Sequence, residues 1–143
     1  MSVVLFRVDE RLIHGQVVVG WARKLRPRRI IVVDDALAED ALEQSIYRTG
    51  IPEGIDADFW SEGEAARALP AVLKSSERAF VLTADLVTMS HLTHQVEGIE
   101  EVNVGCIHHG EGQLPVTARY PPTGAIDRPA PSTTCDQRVN RLV

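Results

Sequence analysis

Short apolar runs alternate along the chain with segments in which apolar residues recur every three or four positions. The apolar runs have the length of buried strands and occupy residues 3–6, 30–33, 55–60, 78–83 and 99–105. The segments with helical spacing follow the first four runs and cover residues 16–25, 37–47, 65–73 and 86–96. Because strand and helix alternate and the strands are almost wholly apolar, the pattern predicts an α/β fold. We expect an open, mostly parallel sheet with helices on both faces, in a single domain.

Polar residues at the ends of these segments predict where the helices begin. Either Asp34 or Asp35 can cap the second helix. The sequence SEGE at residues 61–64 is a capping-box signature for the third helix, and Asp85 is placed to cap the fourth. Pro70 interrupts the third helix, which is therefore predicted either to kink or to form two short pieces.

The character of the sequence changes beyond Gly112. Residues 114–120 have the composition of one more strand, but Pro115 favours an edge position for it. Residues 121–143 are rich in proline, with serine and threonine between, and show no helical periodicity. This composition is typical of an irregular or mobile tail. We therefore expect a folded domain over residues 1–120 and a divergent tail over residues 121–143.

The composition is that of an ordinary globular protein and argues against several classes of function. The chain has 143 residues, of which 44% are hydrophobic and 24% charged, and its formal net charge is -5. The negative charge argues against nucleic-acid binding. No apolar stretch is long enough to span a bilayer, no signal-peptide pattern opens the chain, and the two cysteines lack close paired spacing. These features predict a cytoplasmic protein.

Chemically reactive residues concentrate between the first strand and the first helix. Asp9, Arg11 and His14 stand in this loop, with Arg7 at the end of the strand. The carboxyl end of a strand is where open α/β sheets bind ligands, and the first N–H groups of a following helix favour anions. A nucleophilic imidazole beside cations suits a group that carries negative charge, and phosphoryl is the obvious candidate.

His14 is the predicted catalytic residue, because neutral imidazole is a nucleophile near physiological pH and its phosphoramidate can pass the group onward. Arg11 is the best candidate for phosphate binding, since a guanidinium fork matches phosphate oxygens. Arg7 is the second candidate, unless its place at the end of the strand buries it. Asp9 would repel phosphate, so we expect it either to orient the histidine or to pair with an arginine.

Further phosphate contacts are predicted around the same loop. Gly15 permits a close approach of the backbone to a ligand, and Gln16 with the backbone N–H groups after Gly15 can complete the anion site. Thr83, at the end of the fourth strand, can supply a hydroxyl from across the cleft. Whether it comes close to the loop depends on strand order, which the sequence alone does not fix.

One cysteine and two histidines after the fifth strand raise the question of a zinc site. Cys106, His108 and His109 are ligand types that zinc accepts. Their spacing is tight, however, no second cysteine pair accompanies them, and His91 and His94 belong to a helix elsewhere. We therefore predict no metal site.

The loop sequence DERLIHGQV at residues 9–17 resembles the active-site loop of the IIB component of the mannose/fructose/sorbose-type phosphotransferase system. The resemblance extends through residues 30–35 and reaches residues 101–105. It implies that residues 1–120 form a IIB-like phosphoryl-carrier domain. In this family residues 103–105 would lead into a loop near the active site, which implies a place at its rim for His108 or His109.

The resemblance also implies a reaction and partners. His14 would accept a phosphoryl group from a phosphohistidine on a IIA domain and donate it to a sugar, at carbon six, during uptake, with Arg11 stabilising its charge. The chain would then be the IIB component of a protein-N(pi)-phosphohistidine–sugar phosphotransferase, with no metal or organic cofactor. Its partners would be the IIA domain, the sugar and a membrane-embedded IIC/IID pair, through which it associates peripherally with the membrane. A homodimer is also compatible with the resemblance.

Two departures from the family pattern keep other functions open. Related chains usually continue with another helix and strand, whereas residues 121–143 show no helical pattern, and Cys106 stands where the family often has a second glycine. The altered tail motivates an alternative: a regulatory or vestigial phosphorylatable binding module that is not engaged in transport. An anion-binding α/β domain unrelated to sugar transport is a third possibility. Mannose, fructose, sorbose and amino sugars all remain open as substrates.

Overall fold

Six strands form one sheet in the computed structural model, which describes residues 3–105 and 137–140. The strands lie in the order β3-β2-β4-β1-β5-β6, and all neighbouring pairs are parallel except β5 and β6. The predicted open, mostly parallel α/β sheet in a single domain is thereby confirmed. The strands are β1 (Val3–Val8), β2 (Arg29–Val33), β3 (Asp56–Trp60), β4 (Ala79–Thr83), β5 (Glu101–Val104) and β6 (Gln137–Asn140).

Helical segments follow each of the first four strands, as the apolar spacing predicts. The segment after β1 begins as a π-helix, Gln16–Trp21, and continues as an α-helix; π-helical turns are rare and are frequent at functional sites. The α-helices are α1 (Ala22–Leu25), α2 (Asp35–Ala38), α3 (Ala41–Thr49), α4 (Glu62–Lys74) and α5 (Leu86–Gln95).

The single helix predicted over residues 37–47 is wrong, because the structure divides this region into α2 and α3. Asp40 causes the division: its side chain accepts a hydrogen bond from the backbone N–H of Glu43 at 2.9 Å and starts a new helix. An aspartate whose side chain bonds to the backbone competes with a continuous helix. The apolar periodicity crosses this break and so conceals it.

The helix caps that the sequence predicts are confirmed. Asp34 accepts from the N–H of Leu37 at 2.9 Å, and Asp85 accepts from the N–H of Thr88 at 2.7 Å. The capping box at the start of α4 is complete, with both reciprocal hydrogen bonds present. The two-piece alternative for the third helix is wrong, since Pro70 lies inside a single helix, on its exposed side.

The strand β6 was not predicted. It pairs antiparallel with β5 along its length, with Asn103 opposite Arg138. Residues 137–140 have neither an apolar run nor a regular alternation that would mark a strand. The predicted edge strand at residues 114–120, and most of the predicted tail, lie outside the described residues.

Apolar side chains from the sheet form two cores, one on each face. The first contains Val8, Ile31 and Val33 and packs against α4 and α5, whereas the second contains Ile30, Val32 and residues of the loop and helix after β1. Side chains alternate between the faces of a strand, so Arg7, which precedes Val8, belongs to the second face. This places the reactive loop on the face covered by the π-helix and α1.

Among the described residues, no helix combines the length and the apolar character that crossing a membrane requires.

Candidate functional site

The reactive loop leaves the sheet at its centre, between β4 and β5. The backbone N–H of Asp9 donates to the carbonyl of Thr83 at 2.9 Å, and the N–H of Gly105 donates to the carbonyl of Val8 at 2.7 Å. These bonds extend the ladders on both sides of β1 past its last residue and fix the position of Asp9. Leu12 then donates its N–H to the carbonyl of Asp9 at 2.9 Å and has a φ of 53°. This tight turn returns the chain over the end of the sheet and brings His14 back to Asp9.

Asp9 is the centre of the site. Its side chain is fully buried and accepts hydrogen bonds from Arg7 Nη2 at 2.9 Å, from the backbone N–H of Arg11 at 3.1 Å and from Arg11 Nε at 3.2 Å. His14 Nε2 lies 3.1 Å from Asp9 Oδ2. Both contacts predicted for this aspartate are therefore present, because Asp9 pairs with arginines and also contacts the imidazole.

The carboxylate of Asp9 remains ionised despite its burial. Burial alone would raise the pKa of Asp9, but hydrogen bonds from Arg11 and Arg7 and the nearby His14 outweigh that effect, and the pKa lies below its ordinary value. An ionised carboxylate only accepts hydrogen bonds, so the ring nitrogen that faces it must carry the proton. The neutral form of His14 in this arrangement has its proton on Nε2 and its lone pair on Nδ1.

Arg7 and Arg11 occupy different environments. The side chain of Arg11 is 45% exposed, whereas that of Arg7 is 0% exposed. Arg7 donates from Nη1 to Asn103 Oδ1 and from Nη2 to Asp9, and its guanidinium carbon lies 5.9 Å from the ring centre of Trp21. The sequence left two possibilities for Arg7, phosphate binding or burial at the end of the strand, and the structure shows burial.

Two residues of the site were missed from the sequence. Asn103 lies directly opposite Arg7 in the parallel pairing of β1 with β5, which explains why their side chains meet. At Gly105, Arg7 Nη2 and Asp9 Oδ2 lie within 3.0 Å of the position that a Cβ would occupy. A polar residue in an apolar strand and a glycine just after it can be recognised in the sequence as unusual. That they lie next to Arg7 follows only from the order of the strands, which the sequence does not reveal.

The remaining predicted phosphate contacts stay predictions. Thr83 is buried, and its hydroxyl donates to the carbonyl of Asp85 at 3.0 Å. Gly15 is exposed, and no atom of the described residues lies within 4 Å of the position of an added Cβ, which leaves space there for a ligand against its backbone. The side chain of Gln16 lies outside what the structure describes.

Acidic residues after β2 serve the fold. Asp34 caps α2, and Asp35 Oδ1 accepts a hydrogen bond from the backbone N–H of Glu62 at 2.8 Å, which joins α2 to the start of α4. Cys106, His108 and His109, as well as any place they have at the rim, lie outside the described residues. Within residues 3–105 and 137–140, no three histidines, cysteines or acidic residues are grouped so as to hold a metal ion.

Comparison with known proteins identifies relatives across most of the chain. The family model described as the PTS system sorbose subfamily IIB component matches residues 3–121. The N-acetylgalactosamine-specific phosphotransferase enzyme IIB component 2 of Escherichia coli is 31% identical over 114 residues, which are 78% of this chain and 71% of that protein. The mannose-specific EIIAB component of the same species is 30% identical over 116 residues; these are 81% of this chain but 36% of that protein.

Solved structures show the same relationship. The crystal structure of a PTS-dependent N-acetylgalactosamine IIB component from Streptococcus pyogenes superposes with a TM-score of 0.72 at 32% identity. The superposition covers 82% of this chain and 71% of the streptococcal one.

Proposed function

Because this chain belongs to the sorbose subfamily of IIB components of the sugar phosphotransferase system, we propose that it carries a phosphoryl group on His14. The group arrives from a phosphohistidine on a IIA domain and leaves to a sugar hydroxyl. The chain thus acts as the IIB component of a protein-N(pi)-phosphohistidine–sugar phosphotransferase, with His14, Arg11 and Asp9 as the reacting and charge-stabilising residues.

The hydrogen bond between His14 Nε2 and the ionised Asp9 carries this proposal. Since Nε2 bears the proton, the lone pair of Nδ1 attacks phosphorus while the phosphorus–nitrogen bond to the IIA histidine breaks. The ring becomes positively charged as the new bond forms, and the buried carboxylate 3.1 Å from Nε2 stabilises that charge. In the second transfer the sugar hydroxyl attacks phosphorus and gives up its proton to solvent, the bond to Nδ1 breaks, and the lone pair returns to the ring.

Arg11 is the cation best placed to receive the phosphoryl oxygens. Its side chain is 45% exposed, and its bonds to Asp9 from Nε and Nη2 are long, at 3.2 and 3.4 Å. Because these bonds are long and the side chain is partly exposed, the guanidinium can turn toward the phosphoryl group, while the backbone N–H of Arg11 still donates to Asp9. The backbone of Gly15 and the residues Gln16 and Thr83 would supply further contacts to the phosphoryl oxygens.

We propose a IIA domain, a membrane-embedded IIC/IID pair and a sugar as the partners. Support comes from the family and from the name of the mannose-specific relative, which combines A and B in one component. Contact with the membrane partners would hold the protein peripherally at the membrane. The sugar stays open, since relatives are named for N-acetylgalactosamine, mannose and fructose. A homodimer also remains a prediction, which sedimentation analysis tests.

The decisive experiment is phosphoryl transfer from a labelled, phosphorylated IIA domain to this protein. Acid-labile label is expected on the wild type and on a His91→Ala control, because His91 lies on the exposed side of α5 near Glu62, away from the loop. A His14→Ala variant should take no label. If the folded wild type takes none either, the carrier role is wrong, and an anion-binding domain that takes no part in phosphoryl transfer becomes the better account.

A further inference from the structure

Two residues at the end of β5 have no part in the reaction described above, yet they lie against its buried arginine. Asn103 belongs to β5, and Gly105 directly follows the last residue of the strand. Asn103 accepts a hydrogen bond from Arg7 Nη1, and Gly105 leaves open the space that Arg7 Nη2 and Asp9 Oδ2 occupy. Both therefore constrain the position of the Arg7 guanidinium.

Arg7 in turn helps to orient the carboxylate of Asp9. Its Nη2 donates to Asp9 Oδ2 at 2.9 Å, and this is the same oxygen that lies 3.1 Å from His14 Nε2. Arg7 and Asp9 are both fully buried, and Trp21 stacks near the guanidinium from the helix side. A line of polar contacts therefore runs from Asn103 through Arg7 and Asp9 to the imidazole.

We infer that Asn103 is a positioning residue for His14, acting through Arg7 and Asp9 to hold the imidazole with Nε2 toward the carboxylate. This inference deepens the proposed function and rests on it for its effect on transfer rate. Its effect on the ring of His14 concerns the unphosphorylated protein and does not depend on transfer. Asn103 itself is 5% exposed and does not need to touch the phosphoryl group or a partner.

The geometry indicates why an amide is suited to this place. Arg7 carries one positive charge, and Asp9 already neutralises it. The amide oxygen of Asn103 accepts from the second terminal nitrogen without adding charge, so Asn103 does not compete with the carboxylate of Asp9 for the charge of Arg7. Without that acceptor, the guanidinium would be expected to rotate toward other partners and draw Oδ2 away from His14.

The test uses Asn103→Leu, which keeps the size of the side chain and removes the acceptor. Its partner variant Asn103→Asp restores an acceptor at the same position. Val102→Ala, a truncation of a fully buried neighbour on the opposite face of β5, is the control for mere loss of stability. Nitrogen-15 NMR of the His14 ring reports which nitrogen carries the proton, and transfer kinetics from phosphorylated IIA domain separate kcat from KM.

In Asn103→Leu we expect the His14 ring to change from the Nε2-protonated form to a mixture of both forms. We also expect kcat to fall at least tenfold while KM for the phosphorylated IIA domain stays within about twofold of wild type. Asn103→Asp should recover only part of the rate, because it restores the acceptor but its added charge competes with Asp9 for Arg7. Val102→Ala should leave both the ring and kcat near wild type. If Asn103→Leu does not fold, Asn103→Ala, which removes the same acceptor without filling its space, is measured in its place.

A wild-type ring and a kcat within twofold of wild type in the folded Leu or Ala variant would overturn the inference. So would equal effects from Val102→Ala, because the role of Asn103 would then be structural only. Failure of the proposed function would look different: no variant, nor the wild type, would take label, while the NMR comparison would still decide whether Asn103 orients the ring.

Discussion

The carboxylate of Asp9 joins a buried charge to the candidate reactive residue. It pairs with a fully buried arginine, and it contacts the histidine that lies on the solvent side of the same site. Burial of a charge is costly unless the charge is paired and hydrogen-bonded, and Asp9 meets both conditions through Arg7 and Arg11. The stability of this region and its chemistry are therefore linked at one side chain.

The lowered pKa of Asp9 predicts acid-sensitive stability. Burial acts against ionisation, but the hydrogen bonds from Arg11 and Arg7 prevail, so the folded-state pKa lies below the ordinary value of 3.8. A lowered folded-state pKa means that the stabilisation is fully present above the unfolded-state value and is lost as pH falls through the folded one. The wild type should therefore lose unfolding free energy below about pH 4, as urea titrations at several pH values would measure.

The variant Asp9→Asn should lack this contribution to the acid dependence. At neutral pH it should be less stable than wild type by about 3–5 kcal/mol, because it leaves the buried Arg7 without its counter-ion. Parallel pH profiles for the two proteins below about pH 4 would show that Asp9 does not contribute to acid sensitivity.

Arg11 should contribute to both rate and stability. Its side chain is 45% exposed, but its Nε donates to the fully buried Asp9, so an Arg11→Ala change should cost about 1–3 kcal/mol of unfolding free energy. Phosphoryl transfer from the IIA domain should fall about 100-fold, since charge on the phosphoryl oxygens loses its cation. Arg11→Lys should fall in between, because it keeps the charge but not the fork. Equal rates in all three proteins would exclude Arg11 from the phosphoryl site.

At the scale of elements, the pairing of β1 with β5 is as important to the site as the loop itself. The reactive loop supplies Asp9, Arg11 and His14, but β5 supplies the residues that enclose Arg7. Because β1 and β5 are parallel and Arg7 is paired with Asn103, the same register that continues the sheet also aligns the two side chains.

Gly105→Ala is the sharpest test of this packing. The new methyl group would lie within 3.0 Å of Arg7 Nη2 and Asp9 Oδ2, both of which belong to buried, hydrogen-bonded side chains. We expect a loss of about 1–3 kcal/mol in unfolding free energy, as for other overpacked sites, and slower phosphoryl transfer. Gly63→Ala is the matched control, because in the part of the chain that the structure describes no atom packs within 4 Å of its Cβ position in α4. Alanine favours a helix over glycine, so this control should be neutral or slightly stabilising and should transfer phosphoryl normally.

Some of these elements could be predicted from the sequence and others could not, for physical reasons that can be named. Five strands could be predicted because buried parallel strands are apolar along their length, and the caps at Asp34 and Asp85 could be predicted because capping needs a particular residue type. The helix break at Asp40 was concealed by apolar spacing that continues across it, and β6 by the absence of a strand pattern in residues 137–140. The loop motif predicted the residues that lie together at Asp9. Asn103 could not be placed beside Arg7, because periodicity does not reveal the order of strands.

At the scale of the whole molecule, the sheet separates the site from one of the two cores. Arg7 and Asp9 face the core that contains Leu82, whereas Leu69 of α4 belongs to the core on the opposite face. Leu82 is also the residue paired with Arg7 across β1 and β4. Both leucines are fully buried, so the two positions form a matched pair that differs in its relation to the site.

Truncating these leucines should affect stability alike and activity differently. Leu69→Ala and Leu82→Ala should each cost about 2–5 kcal/mol of unfolding free energy, through lost burial and the cavity that remains. At a temperature where both variants are folded, Leu69→Ala should transfer phosphoryl at nearly the wild-type rate, because its cavity opens beyond the sheet. Leu82→Ala should be slower, because its cavity opens beside Arg7 and gives the guanidinium room to move. Thermal or urea unfolding gives the first quantity, and transfer from the phosphorylated IIA domain gives the second.

If both truncated variants transferred phosphoryl at the wild-type rate, the core beneath Arg7 would not be needed to hold its guanidinium in place. A slow Leu69→Ala variant would show instead that the sheet transmits strain between its faces, since a tightly packed interior has low compressibility. The expected result, loss of rate on one face only, follows from the position of β1 in the middle of the sheet. In that position one face of the strand packs into a core that stabilises the fold, and the other face carries the charged residues that contact His14.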